Sequence, residues 1–214
     1  MPPAPALKAR RRRASHDEIL AAVREVLPEV GVHGLTVELV ARKLGVTKQA
    51  LYHYYPSKVT LLLELCIDEL TRSALAVQAA CEAAPDGPGA LEALIRSVVG
   101  YFAPRLDTFR LVMQHVQQVE NAQLAPAELA RLRPINDMLY GVAEAKLAAD
   151  KRARRISRHV NPRRLAFAAH LAAIGLLSMK ALVERFDDPL RYSDDELVGE
   201  LCAAFRAAAE GRDR

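Results

Sequence analysis

The sequence predicts an all-α fold, and three observations carry that prediction. Ala and Leu dominate the apolar half of the composition, and both lose little on entering a helix. Apolar residues recur at helical spacing in one segment after another, each bounded by Pro, Gly, Asp or Asn. No segment shows a sustained alternation of period two, so no sheet is expected. A chain of 214 residues, 51% hydrophobic, can bury a substantial core, as one large domain or as a small domain joined to a larger one.

The elements follow in order. Residues 1–15 are rich in Pro, Ala and Arg and read as a disordered basic arm. From His16, the positions Ile19, Val23, Leu27 and Val30 mark a first helix ending at Gly31. Pro28 lies inside it and cannot donate to the carbonyl of Arg24, which predicts a kink or an early last turn. Thr36 is a good N-cap for a second, short helix with Val37, Val40, Ala41 and Leu44 on its inner face, and Gly45 stops it. Thr47 caps a third short helix through Lys48, Gln49, Ala50, Leu51 and Tyr52. Pro56-Ser57 restarts the chain into a fourth, whose apolar face runs from Leu61, Leu62 and Leu65 to about Cys81. The stretch 84–89 (Ala-Pro-Asp-Gly-Pro-Gly) is the clearest break. Further helices are expected over 90–103, 106–121, 126–153, 163–186 and 193–210.

Charge is unevenly placed. Residues 1–60 hold ten Lys and Arg against five Asp and Glu, whereas residues 61–214 hold 20 against 21. A basic head on a near-neutral body points to a polyanionic partner, although a solvated basic tail gives the same balance. Cys66, Cys81 and Cys202 are odd in number, widely spaced and without a CxxC pattern, which predicts neither a disulfide framework nor a zinc site. No uninterrupted apolar run reaches the ~18–20 residues of a membrane span. The basic start lacks an apolar stretch after it, so no secretory signal is read there, and the expected location is cytoplasmic. HExxH, phosphate-binding and dinucleotide glycine loops and a nucleophile elbow are missing, and His115 and Glu120 lie five apart, which one helix face does not bring together. The expectation is therefore no enzyme, no cofactor and no metal.

Function is written most clearly between Thr36 and Tyr52. Two short helices joined by a turn containing Gly make a helix-turn-helix, whose second helix enters the major groove by its N-terminus. Ala41 is small where the helices must approach, and Gly45 permits a positive φ at the turn. Val46 and Leu51 fill the core of the unit, which leaves Thr47, Lys48, Gln49 and Tyr52 outward. Lys can reach guanine O6 and N7, and Gln can pair with adenine N6 and N7.

The segment TVELVARKLGVTKQALYHYYPSKVTLLLEL resembles the DNA-binding head of TetR-family repressors. The matching features are the Thr-capped second helix, Gly45-Val46-Thr47, Leu51-Tyr52, the aromatic pair Tyr54-Tyr55, and Ser57-Lys58 with Leu61 behind it; the likeness covers roughly Ile19 to Leu65. The resemblance implies a homodimeric regulator of double-stranded operator DNA, with phosphate or base contacts from Thr36, Thr47, Lys48, Gln49, Tyr52, Tyr54 and Lys58, and a backbone contact from His53. Lys58, opening the fourth helix, would hold a phosphate beside the backbone N–H groups. Tyr52 is assigned to phosphate and Tyr55 to the core. Pro28 and the Arg10–Arg13 run depart from the family pattern. That run is either a basic arm in a minor groove or a solvated tail.

On the family's layout, residues 16–62 form the DNA-binding domain and 63–214 an effector-binding and dimerisation domain. Small residues on the 163–186 helix permit close helix approach. The expected dimer interface is Ala169, Ala173 and Leu176 with Leu197, Leu201 and Phe205 of the last helix, and burial of the same faces within the subunit is the competing reading. The expected pocket for a small-molecule effector draws on Tyr101, Phe109, Met113, Met138 and Tyr140, with Gln114, His115 and Gln117 to orient the ligand. His170 reads as a hydrogen-bonded interface histidine. Effector binding would change the spacing of two reading heads and release the operator. The alternatives are control by a protein partner or by oxidation of a thiol.

Overall fold

A computed structural model describes residues 14–118, 126–183 and 192–211. Among these the chain is all-helical: α1 (His16–Gly34), α2 (Val37–Leu44), α3 (Lys48–Tyr54), α4 (Lys58–Ala83), α5 (Gly87–Phe102), a 3-10 turn at Ala103–Arg105, α6 (Leu106–Gln118), α7 (Pro126–Arg152), α8 (Pro162–Val183) and α9 (Asp194–Glu210). The chain divides into two compact units between Asp68 and Glu69. The Arg10–Arg13 run and the expected helix ends at 121 and 186 lie outside the described residues.

In the first unit α1 packs on α2 and α2 on α3. Ser15 and Glu18 close α1 with a reciprocal capping box, and Ile19, Leu20, Val23 and Leu27 are buried along one stripe. The backbone break falls at Gly31, with φ 66° and ψ 176°, whereas Pro28 is accommodated inside α1. Glycine adopts that left-handed φ without a Cβ clash, so the chain turns at Gly31. Val30, expected on the inner face, is 36% exposed, one residue before the break.

The second unit is built around α5, which packs against α7, α8 and α9. Its helix begins at Gly87, three residues before the apolar periodicity, because Asp86 supplies the N-cap and accepts from the Gly89 N–H at 2.7 Å. Leu91, Leu94, Ile95, Val98 and Phe102 fill the core with Phe109, Leu139, Leu147 and Leu177.

Helix α8 corrects the reading that nothing matches a membrane span. It is 22 residues long with a window of mean hydropathy 1.7, enough by length and composition to cross a bilayer. Counting uninterrupted apolar residues missed it because His170, Ser178 and Lys180 break the run, while the residues around them keep its mean high. One face, Ala166, Ala169, Ala173, Leu177 and Ala181, is buried in the core, while Phe167, Leu171, Met179 and Leu182 on the rest of the helix are exposed.

Candidate nucleic-acid interface

The reading unit is fixed by its caps. Thr36, in extended backbone, accepts from the Leu39 N–H at 3.1 Å and starts α2. At its other end Gly45 takes the left-handed conformation, φ 67° and ψ 27°. The Gly45 N–H reaches the Arg42 carbonyl at 3.2 Å and the Val46 N–H the Ala41 carbonyl at 3.0 Å, a Schellman closure. Thr47 then accepts from the Ala50 N–H at 3.3 Å and starts α3. Ala41 is buried where the helices meet, and Leu51 anchors α3 at 1% exposure. Helices of eight and seven residues are too short to persist alone, so caps and this small core determine their geometry.

Thr47, Lys48 and Gln49 are brought together, exposed, on the first turn of α3. Each threonine hydroxyl spends one lone pair on its cap and retains a hydrogen to donate. Tyr52 lies one turn beyond Lys48, whose ammonium sits 5.3 Å from the centre of its ring. His53 and Tyr54 are exposed and stack edge to face at 5.5 Å, whereas Tyr55 is buried and faces the His16 ring at 6.1 Å.

Two lysines are already engaged. The Lys58 ammonium donates to the His33 carbonyl at 3.1 Å, near the C-terminus of α1. The Lys48 ammonium pairs with Glu38 on α2, and the Tyr52 hydroxyl donates to the same carboxylate at 3.2 Å. The hydrogen bond from Lys48, then the backbone N–H at the start of α2, hold the Glu38 carboxyl below its ordinary pKa. The Glu38 bond in turn raises that of Lys48. Both therefore carry full charge at neutral pH. Glu38 is the residue that sequence reasoning missed: ten positions separate it from Lys48, and only the turn at Gly45 brings them together.

Among the described residues, the expected effector side chains are not gathered into one cavity. Phe109 is a core residue edge-on to Phe102 at 5.5 Å. Tyr101 is half-buried, donates to Glu69 at 3.0 Å and lies under the Arg105 guanidinium at 4.9 Å. Tyr140 is buried with the Phe167 ring at 5.7 Å, the His170 ring at 6.4 Å and Arg163 at 5.5 Å. Met113 is half-buried against the core, Gln114 is exposed, and the side chains of His115 and Gln117 lie outside the described residues. Of the set, only Met138 lines an open cavity of about 590 Å³, bounded by Gln78, Asp137, Met138, Gly141, Val142, Ala145, Lys146 and Ala149. A signal for it was present: Gly141, Ala145 and Ala149 recur every four residues and leave a small-residue stripe along α7.

The expected dimer residues also divide. Ala169 and Ala173 are fully buried within the subunit, so the small-residue stripe of α8 serves packing in its own core. Leu176, Leu201 and Phe205 are half-buried against that core, and Leu197 is half-buried. His170, read as hydrogen-bonded, has a buried Nδ1 with no hydrogen-bond partner among the described residues, and desolvation lowers its pKa. All three cysteines are buried and none is disulfide-bonded. No group of three or more His, Cys, Asp or Glu suited to a metal occurs among the described residues.

A capped helix-turn-helix with polar side chains on the first turn of its second helix, carried by an all-helical chain, defines a helix-turn-helix DNA-binding regulator. Residues 19–65, the segment that holds α2 and α3, match the family model for bacterial regulatory proteins of the tetR family. Solved structures share the fold along nearly the whole length. A tetR-family regulatory protein from Rhodococcus RHA1 is 18% identical with a TM-score of 0.68, over 94% of this chain and 100% of that one. A TetR/AcrR-family transcriptional regulator from Thermobifida fusca is 19% identical with a TM-score of 0.67, over 92% and 98%. The regulator FadR from Bacillus subtilis, in complex with stearoyl-CoA, is 16% identical with a TM-score of 0.64, over 92% and 100%. No curated protein matches the chain in sequence.

Proposed function

We propose that this chain is a homodimeric transcriptional repressor that binds a pseudo-palindromic operator through α3 and is released from it by a small molecule. The observation that carries the reading is the first turn of α3, where Thr47, Lys48 and Gln49 project from a unit fixed by two threonine caps and a Schellman turn. Thr36, Tyr52, His53, Tyr54 and Lys58 supply the flanking contacts. Lys58 exchanges its bond to the His33 carbonyl for a phosphate oxygen when DNA arrives.

Dimerisation is assigned to the exposed part of α8, where Phe167, Leu171, Met179 and Leu182 would otherwise face water. Fully burying one such side chain contributes roughly 1.5–3 kcal/mol, so four from each subunit are a substantial driving force. Two heads on successive major grooves of one DNA face stand about 34–36 Å apart. The effector is assigned to the second unit, with the cavity along Met138, Gly141, Val142 and Ala145 as its entry. A largely apolar ligand suits that lining, and the stearoyl-CoA held by the B. subtilis FadR makes acyl thioesters the first compounds to try. Control by thiol oxidation is disfavoured by Cys81, whose pKa burial pushes up to about 11, leaving little thiolate to react.

The test is fluorescence anisotropy on the duplex upstream of the protein's own gene and on a scrambled duplex, at two salt concentrations, with Lys48→Ala and Lys58→Ala beside the parent. The expected result is sequence-preferring binding by a dimer, weakened in both variants. Equal, steeply salt-dependent binding to both duplexes would move the operator elsewhere, and no binding to any duplex would overturn the reading.

A further inference from the structure

The ion pair between Glu38 and Lys48 has a consequence for DNA recognition. One carboxylate on α2 holds two groups of the proposed reading helix, the Lys48 ammonium and the Tyr52 hydroxyl, and the ammonium in turn lies over the Tyr52 ring. The three side chains are partly to largely exposed, so an arriving duplex can reach them. We infer that Glu38 is a specificity-determining residue: it acts as an internal competitor for DNA, holding Lys48 and Tyr52 until a duplex displaces it. This rests on the DNA-binding reading above.

The physical reason is charge exchange. A lysine that meets a phosphate normally releases a condensed counterion, and that release drives sequence-independent binding. Lys48 already has an anion, so a phosphate merely replaces Glu38, and the freed carboxylate is left beside a polyanion. Any duplex bound through phosphates alone carries this penalty in full. A site that places a base amino group, such as cytosine N4, next to Glu38 gives the carboxylate a new donor and offsets it. Glu38 therefore weakens non-specific binding more than operator binding.

The experiment compares Glu38→Gln with the parent on a random-sequence duplex and on the upstream duplex across a salt series. Glu25→Gln serves as a control, because Glu25 pairs with Lys43 at 2.9 Å and touches neither Lys48 nor Tyr52. Glu38→Gln should bind the random duplex roughly threefold more tightly, the scale of an exposed ion pair, and lose that much discrimination. The slope of log K against log salt should steepen by about 0.9, one added phosphate contact. In a Lys48→Ala background the steeper salt slope should vanish and the gain should shrink to the relief of repulsion between the Glu38 carboxylate and phosphate. Should the amide variant fold poorly by circular dichroism, Glu38→Asp keeps the charge, shortens the reach and is expected to show the same direction of change. Unchanged affinity, an equal gain from Glu25→Gln, or a gain undiminished by Lys48→Ala would each overturn the inference while leaving the DNA-binding reading intact. Failure of the parent to bind any duplex would instead remove that reading itself.

Discussion

Helices α2 and α3 of the first unit are short and fixed at their ends, whereas α7 and α8 of the second are long and fixed along their sides. Helices α2 and α3 span eight and seven residues between Thr36, Gly45 and Thr47. Helices α7 and α8 run for 27 and 22 residues, and α5 is buried among its neighbours from Leu91 to Phe102. A helix of two turns pays nucleation for few hydrogen bonds, so each cap is a large share of its stability. A helix of six turns draws its stability from the apolar surface it covers. The same perturbation should therefore act differently in the two units, and the largest expected effect lies in the second.

Phe102 is 2% exposed and meets Tyr101 and Phe109 edge to face, at 4.9 and 5.5 Å. Phe102→Ala removes that packing and leaves a cavity no neighbour fills, a loss of about 3–5 kcal/mol. Denaturant unfolding followed by far-ultraviolet circular dichroism measures it. A loss below about 1 kcal/mol would mean that the core around α5 collapses freely, contrary to the packing described.

Asp150 is the polar counterpart of that core. It is 3% exposed, accepts from the Gly87 N–H at 2.7 Å and from the Arg155 guanidinium at 3.0 Å, and so ties the start of α5 to the end of α7. Asp150→Ala orphans a buried N–H and should cost about 1–3 kcal/mol. Burial alone would raise the pKa of this carboxyl, but the Gly87 N–H and Arg155 together outweigh burial and hold it below the ordinary carboxylate range. A depressed folded pKa gives stability that is complete above the ordinary carboxylate range and lost as pH falls through the folded value. The parent should therefore lose stability more steeply than Asp150→Ala as pH falls below the ordinary carboxylate range, as measured by unfolding across a pH series.

What the sequence makes legible follows the same division. Thr36, Gly45 and Thr47 act on residues two to four positions away, so cap, turn and second helix are readable from 12 consecutive letters. The break at 84–89 was visible too, but not that Asp86 turns half of it into the start of α5. The second unit assembles from residues tens of positions apart, such as Leu91, Leu139 and Leu177, and no local pattern says which face of α8 meets α5. Small residues on α8 read as a dimer seam, with a core seam as the competing reading, and Ala169 and Ala173 are buried in the subunit's own core. Glu38 escaped for a third reason: its partner is set by the turn, and a glutamate near the start of a helix is already explained by the helix dipole.

Two glycines sharpen the comparison. Gly45 has φ 67° and open space around its missing Cβ, so Gly45→Ala should cost about 1–2 kcal/mol from conformation alone. Gly45→Asn should recover part of that, because Asn tolerates the left-handed region. Gly87 has no such φ, but a Cβ there would lie 2.8 Å from the Leu147 Cα and 3.0 Å from an Asp150 oxygen. Gly87→Ala should cost about 1–3 kcal/mol through overpacking, and Gly87→Asn should be worse, with no rescue. Thermal unfolding of the four variants separates a conformational requirement from a spatial one. Equal behaviour of the two Asn variants would erase the distinction.

Thr47 gives the smallest change in stability and joins the caps of the first unit to its proposed chemistry. Its hydroxyl accepts from the Ala50 N–H, and the hydroxyl hydrogen is the group available to a phosphate. Thr47→Ala removes both and should cost about 1 kcal/mol in stability along with DNA affinity. Thr47→Ser preserves both. Thr47→Asp separates them, since aspartate caps a helix as well as threonine and favours its N-terminus, yet has no hydrogen to donate and repels phosphate. Its melting temperature should match the parent's while its affinity for the upstream duplex falls. If Thr47→Asp bound DNA as tightly as the parent, Thr47 would be a cap and nothing more, and the contact surface would have to exclude the first turn of α3.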